Sequence, residues 1–244
     1  MNAATVIAVC PVFNPPPGSQ QRIADLDHQV DQVIVVDDGS QQRTSFPVVN
    51  VIRLESNRGI AAALNVGVEW AAEHGATHVL TIDQDSVFPP GYVRALLDCE
   101  KRAVGQGLHP GAIGAFEFSG MRHRGEVRDG VMVVHESIQS GTLFRLAALQ
   151  EVGGFNERLV IDGVDTDICL RLQDAGYEIC AAPVSFEHSL GQGQFVNLLG
   201  RRVWSSKHQP FRRYYITRNG LALLGRHGRR HPRWAAVSAR RLAV

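Results

Sequence analysis

The chain alternates short apolar runs with polar or glycine-rich breaks, and the run lengths set the first expectations. Val6–Val12 is almost wholly apolar and reads as a buried strand. It breaks at Asn14-Pro15-Pro16-Pro17-Gly18, which continues neither a ladder nor a helix. Ser19 then suits the cap of a helix over residues 19–29. A β-branched run, Val33-Ile34-Val35-Val36, predicts a second buried strand that ends in the polar turn Asp37-Asp38-Gly39-Ser40. Residues 48–54 read as a third strand. Ile60–Glu73 reads as a helix, with apolar or small residues at 60, 63, 64, 67, 68 and 71. A fourth strand over residues 78–82 delivers Asp83 and Asp85 at its carboxyl end. Strands alternating with helices predict an α/β fold, a Rossmann-like and mostly parallel sheet with helices on both faces.

Past residue 110 the pattern changes to shorter strands at 112–118, 131–135 and 138–144, followed by a helix at 164–175 and a strand at 178–182 leading to His188. A further helix is predicted at 211–224. Neither an internal repeat nor a low-complexity linker appears, so one continuous domain in two parts is expected.

With 44% hydrophobic and 20% charged residues among 244, the chain has the make-up of a soluble enzyme rather than a disordered segment. Its four cysteines form no C-x-x-C pair, which argues against zinc and thioredoxin-like chemistry and for reduced, buried thiols. The apolar run from Thr5 to Val12 has no basic flank and is too short for a signal peptide or a membrane span. The net charge of +1 hides a division: from His188 to Val244 stand twelve basic residues and no acid, leaving 13 basic against 24 acidic before them. The two parts carry +12 and −11, so the second suits an anionic partner such as a membrane surface or a pyrophosphate. A solvated helical face would account for the same charges. No helix-ending signal precedes Val244, so the chain is expected either to be part of a longer one or to stop abruptly.

Asp83-Gln84-Asp85-Ser86 is the sharpest local signal. Two carboxylates spaced i, i+2 beyond a strand end can hold a hard divalent cation with positions open for phosphate oxygens. Alone, such a pair is more often just a turn. Asp38, at the end of the second strand, can accept the imide N–H of a pyrimidine ring. The stretch from Asn57 to Gly67 starts a helix of small residues that a nucleotide can approach closely, with backbone N–H groups suited to anions.

Taken in order, these elements resemble the inverting glycosyltransferases of family 2, which have the GT-A fold. Pro11-Val12-Phe13-Asn14, Val36 to Ser40, Asn57-x-Gly59 with Asn65-x-Gly67, and Asp83-Gln84-Asp85-Ser86 carry the first part of the resemblance. Ser140-Gly141, Gly153-Gly154-Phe155-Asn156-Glu157, and Asp165-x-Asp167 with Arg171 extend it to about residue 190. The segment Ile161 to Asp165, His188-x-x-Gly191 and Tyr214-Tyr215-x-x-Arg218-Asn219 look most like bacterial rhamnosyltransferases.

The resemblance implies a nucleotide-sugar-binding half at 1–110, an acceptor-binding and catalytic half at 111–190, and a basic, mostly helical segment at 191–244. It makes Asp85 the principal ligand of Mn2+ or Mg2+, assisted by Asp83 and His188. Pro11, Asn14, Asp38, Asn57, Gly59, Asn65, Asp83 and Arg218 would bind the nucleotide-sugar, with Asp38 on the base and Arg218 on the diphosphate. Asp165 would be the catalytic base. Many relatives have Glu-Asp here and this chain has Val164-Asp165, so Asp162 is the candidate for the missing carboxylate. The implied reaction is one inverting displacement, moving rhamnose from dTDP-rhamnose, or a sugar from another dTDP- or UDP-sugar, to a glycan or lipid-linked acceptor. A cytoplasmic protein is expected, with peripheral contact to an anionic inner membrane face and no nucleic-acid partner. Trp204, Tyr214 and Tyr215 would line an acceptor platform. Two competitors remain: a sugar nucleotidyltransferase, which needs a Gly-rich loop and a lysine after the first strand where none precedes Lys101, and a non-catalytic nucleotide-sugar-binding protein.

Overall fold

The computed structural model of the protein describes residues 4–43, 45–46, 49–128, 130–188, 193–198, 201–206 and 210–242, with the backbone alone for 193–198 and 201–206. In chain order the elements are β1 (Val6–Val12), α1 (Ser19–Asp27), β2 (Gln32–Asp37), β3 (Asn50–Arg53), α2 (Ile60–Glu73), β4 (His78–Thr81) and α3 (Tyr92–Gly105). There follow β5 (Pro110–Phe118), β6 (Met121–Arg122), β7 (Gly125–Arg128), β8 (Val131–Val134), β9 (Thr142–Arg145), α4 (Leu146–Glu151), α5 (Val164–Asp174) and β10 (Glu178–Phe186). A hairpin of β11 (Gly193–Leu198) and β12 (Arg201–Ser206) precedes α6 (Pro210–His227) and α7 (Pro232–Leu242).

A single sheet runs in the order β3-β2-β1-β4-β9-β5-β10-β8-β7, with β6 paired to β5. Strands β1 to β4 are mutually parallel, which is the Rossmann-like half. The mixed region starts at β9, which lies antiparallel between β4 and β5 and joins the two halves without a break.

The buried strands explain their own composition. Along β1, Ile7 and Val9 face one core, while Val6, Ala8, Cys10 and Val12 face the other. Both faces are covered, so alternation disappears and the sequence reads as an unbroken apolar run. The first core is roofed by α2, α4 and α5; the second by α1 and α3. Helix α2 buries Ala61, Ala62, Ala63, Leu64, Gly67, Val68 and Ala71. A Cβ on Gly67 would strike the side chain of Val9, so its absence lets the helix lie directly on β1.

Several expectations change. Ser19 does not cap α1: Gly18 takes the cap position in a left-handed conformation and Ser19 is buried. The third strand is confined to Asn50–Arg53, and Val48 lies outside the described residues. The strand expected at 138–144 begins only at Thr142. Its first part is a loop, because side chains take up the backbone groups a ladder would use: Thr142 Oγ1 donates to the Ile138 carbonyl at 2.6 Å. Helix α3 was not foreseen, and within the segment expected to be mostly helical, which does contain α6 and α7, the β11–β12 hairpin was not.

Candidate active site

On one side of β1 the sheet grows through β2 and β3, on the other through β4 and β9, so the strand order switches between β1 and β4. Ligands of open α/β sheets bind in the crevice beyond the carboxyl ends of strands at such a point. There Gln84 bridges the two strand ends, its Oε1 accepting the Phe13 amide at 3.1 Å. A cavity of about 840 Å³ opens over them.

The two aspartates that end β2 divide their work. Asp37 braces the turn, accepting the Ser40 amide at 2.9 Å and pairing with Arg53. Asp38 lines the cavity, and its carboxylate accepts the backbone amides of Arg58 at 2.7 Å and Gly59 at 2.9 Å, just before α2. Burial pushes the Asp38 carboxyl up, and these two amides oppose the rise. Gly59 is held at φ 92 and packs so tightly on the Val160 backbone that a Cβ would lie 2.6 Å from its carbonyl oxygen. That contact, with the Ile60 amide donating to Val160 at 2.9 Å, seats the 160–163 loop against the start of α2. Pro11 and Asn57 complete this end of the cavity wall.

Asp83, Asp85 and His188 offer ligand atoms that all lie within 4.8 Å of one another. Burial, then the neighbouring carboxylates of Asp85 and Asp165, raise Asp83 to about 7, while Arg212 opposes the rise. Such mutual repulsion is relieved by a cation, and two carboxylates plus an imidazole form a donor set that suits Mn2+ or Mg2+. A serine relay holds the ligands in place. Ser140 Oγ accepts the Asp83 amide at 2.9 Å and lies 2.7 Å from Ser86 Oγ, which in turn is 3.0 Å from His188 Nδ1. The two ring nitrogens face different carboxylates: Nδ1 lies 3.5 Å from Asp85 Oδ1 and Nε2 3.8 Å from Asp83 Oδ2. Ser119 clamps the His188 backbone on both sides, accepting its amide at 2.7 Å and donating to its carbonyl at 2.6 Å.

Across the cavity Asp165 stands in the first turn of α5. Its Oδ1 accepts the Thr166 amide at 2.9 Å. Burial lifts its carboxyl to about 6, with Glu136 and Asp162 adding to the rise. Asp162 differs in both backbone and partner. It lies before α5, outside the helix, at φ 62, and Gly163 caps the helix start. Its carboxylate is engaged by Arg212 through bonds of 3.0 to 3.2 Å. Asp162, the candidate for the missing carboxylate, is therefore not on the helix that carries Asp165.

Three residues expected at the nucleotide-sugar fall outside the cavity lining. Asn14 ties two loops together, its amide donating to Ser40 Oγ at 2.8 Å and its side chain accepting the Gln41 amide at 2.9 Å. Asn65 binds both backbone groups of Phe155, at 2.8 and 2.9 Å. Arg218 lies over the Tyr215 ring at 4.4 Å and donates to the Arg158 carbonyl at 2.6 Å. Its neighbour Asn219, also part of the expected motif, is buried and donates to the carbonyls of Leu159, Ile161 and Asp162 at 2.7 to 2.8 Å. The motif thus fastens α6 to the loop that leads into α5. Arg212 and Phe211, from the first turns of α6, do line the cavity and were not foreseen. Nothing in a segment holding twelve basic residues singles Arg212 out. Gly191 and the side chain of Trp204 lie outside the described residues.

Two family descriptions match the chain: glycosyl transferase family 2 over residues 8–102 and glycosyl transferase family group 2 over residues 78–241. The dTDP-rhamnosyl transferase RfbF of Shigella flexneri is 30% identical over an alignment covering 91% of this chain and 80% of that protein. Among solved structures, GalNAc-T7 with UDP, GalNAc and Mn2+ superposes with a TM-score of 0.63 at 12% identity, covering 88% of this chain and 47% of that one. TarS of S. aureus gives 0.55 at 15% identity, covering 90% of this chain and 40% of that one. The chain thus spans about half the length of these solved structures or less.

Proposed function

The chain belongs to glycosyl transferase family 2, with a GT-A fold and glycosyltransferase activity, and from that premise we propose that it transfers L-rhamnose from dTDP-rhamnose, with inversion, to a hydroxyl of a glycan or lipid-linked acceptor. The observation that carries this reading is the convergence of Asp38, the Asp83–Asp85–His188 cluster and Asp165 in one cavity. Asp38 reads the pyrimidine at the end of β2. Asp85, Asp83 and His188 would hold Mn2+ or Mg2+, and that ion would neutralise charge on the departing diphosphate. Arg212 supplies a further positive charge to the same phosphates in the role first given to Arg218, because it is Arg212 that lines the cavity. Asp165 removes the acceptor proton; a carboxyl raised to about 6 stays ionised at neutral pH yet is a stronger base than an ordinary aspartate. Asp162, held by Arg212, orients that arginine rather than acting as a second base. The donor half ends near residue 110 and the acceptor half near 190.

The donor is tested by incubating the enzyme with dTDP-rhamnose and a panel of dTDP- and UDP-sugars, with and without Mn2+ or Mg2+, and measuring released nucleoside diphosphate. dTDP-rhamnose with metal is expected to turn over at least about tenfold faster than any UDP-sugar, a difference of roughly 1.4 kcal/mol in transition-state binding. Faster turnover of a UDP-sugar would reassign the donor. Binding without release from any donor would favour the non-catalytic reading.

The basic segment supports peripheral contact with an anionic inner membrane face. Arg213, Arg226, Arg229, Arg233, Arg240 and Arg241 are all exposed. Among the described residues no helix is long and apolar enough to cross a membrane. Among the apolar residues interleaved with these arginines, Val237 is exposed, whereas Leu242 packs on Gly220 and Trp234 on the first core. Phe211, Tyr214 and Leu221 on α6 are each about 60% exposed and take their place. Flotation with anionic liposomes is expected to carry the protein up at low salt, and Arg→Glu exchange at 233, 240 and 241 to abolish this. Equal recovery of both proteins would rule the membrane face out.

A further inference from the structure

Val164, directly before Asp165, is buried in the first core and brings no carboxylate to the cavity. A second acid nevertheless reaches the start of α5 from another part of the chain. Glu136 lies in the loop between β8 and β9, and its Oε2 accepts a hydrogen bond from Thr166 Oγ1 at 2.8 Å. Residue 166 is therefore held twice, by Asp165 through its amide and by Glu136 through its hydroxyl. The loop is laced to α5 on either side of that bond. Gln173 donates to the His135 carbonyl at 2.8 Å, and the Ser137 amide donates to Cys169 Sγ at 3.5 Å.

We infer that Glu136 is a positioning residue for Asp165, reaching the first turn of α5 from the β8–β9 loop. The inference rests on the reading of Asp165 as the base. Glu136 does two things to that group: through Thr166 it fixes the first turn of α5, and its negative charge disfavours ionisation of the neighbouring carboxyl. The other groups facing Asp165 are Asp162 on its own loop, Asp83 from the end of β4, the neutral thiol of Cys169 one turn along α5, and Arg212, which is bound to Asp162. Glu136 is the one acid among them that is also hydrogen-bonded to the turn carrying the base. A base made stronger by its neighbour removes the acceptor proton more readily for as long as it remains ionised at working pH.

The test compares pH–rate profiles of kcat for the wild type, Glu136→Gln, Glu136→Asp and Asp165→Asn, with the KM for the donor measured alongside. Glu136→Gln is expected to move the acid limb to lower pH by about half a unit or more and to lower kcat near neutrality about three- to tenfold. Its donor KM should change less than about twofold, since nothing at the nucleotide is touched. Glu136→Asp keeps the charge and should leave the limb where the wild type has it, at reduced kcat. A Glu136→Gln profile that superimposes on the wild type, with Asp165→Asn inactive, would overturn the role of Glu136 and leave the base in place. An active Asp165→Asn would instead remove the base itself. If Glu136→Gln does not fold, the Glu136→Asp arm decides: a limb displaced in spite of the retained charge counts against the inference.

Discussion

Asp85→Ala is expected to lower donor turnover by about 10²- to 10³-fold, the loss typical when a preorganised partner of developing charge is removed. Metal dependence should vanish with it. The reasoning starts from how few donors the site has: Asp83, Asp85 and His188 are the one group of three clustered acidic or imidazole ligands among the described residues. Removing Asp85 takes away one of the site's two carboxylates and leaves Asp83 with a single imidazole, a weaker site for a hard cation. In thermal-shift measurements dTDP plus Mn2+ should stabilise the wild type by several degrees and Asp85→Ala by no more than dTDP alone. Asp85→Ala turning over within about tenfold of the wild type, with metal dependence intact, would show that the cation is held elsewhere.

Asp165→Asn should cost the most, about 10³- to 10⁴-fold in kcat, at the upper end for loss of a general base. Donor-dependent thermal shifts should be preserved, because Asp165 lies across the cavity from Asp38. The same substitution is expected to stabilise the fold. The Asp165 carboxyl stands at about 6 in the folded protein, above the 3.8 of an unperturbed aspartate, so ionising it in place costs free energy. The sign follows: that cost is fully present above about pH 6 and fades as pH falls toward the unfolded value. Asp165→Asn should therefore melt above the wild type near pH 7.5 by a few degrees, on the order of 1 kcal/mol, with the gap closing by about pH 4. Equal melting temperatures at both pH values would deny that the carboxyl is strained. Wild-type activity should fall as pH drops through about 6, where Asp165 takes up a proton.

What could be read from the chain beforehand follows from where the physical signal is local. The β1 and β2 runs were legible because both faces are buried, and α2 because its small face repeats at helical spacing. Helix α3 also repeats, burying Val93, Leu96, Cys99 and Ala103, but Glu100 is buried on the same face, paired with His78 and Arg145. A charge on the core side blurs the amphipathic pattern, since only its distant partners make it tolerable. The loop before β9 failed for a related reason: its hydroxyls replace ladder bonds through contacts that spacing does not reveal. Asp38, Asp83, Asp85, Asp165 and His188 were found from strand ends and family pattern, and they share one cavity. Asn65, Arg218 and Asn219 were recognised as a pattern, and the contacts they make tie the 155–162 segment to α2 and α6. Arg212 and Glu136 escaped notice because each is placed by a partner far away in sequence, Asp162 and Thr166 respectively.

The placement of β9 between β4 and β5 also bears on how the molecule comes into being. The sheet cannot close as the chain leaves the ribosome in order, because β4 at residues 78–81 has no outer neighbour until residues 142–145 arrive. Strand β5, at 110–118, waits in turn for β10 at 178–186. Pairings so distant along the chain are slow to form, and unpaired strand edges invite association with other chains in the interval. The parallel β1–β4 unit can assemble early and already carries Asp38, Asp83 and Asp85. Asp165 on α5 and His188 after β10 come later, so a chain that has reached only β4 lacks both the base and the imidazole that completes the cluster.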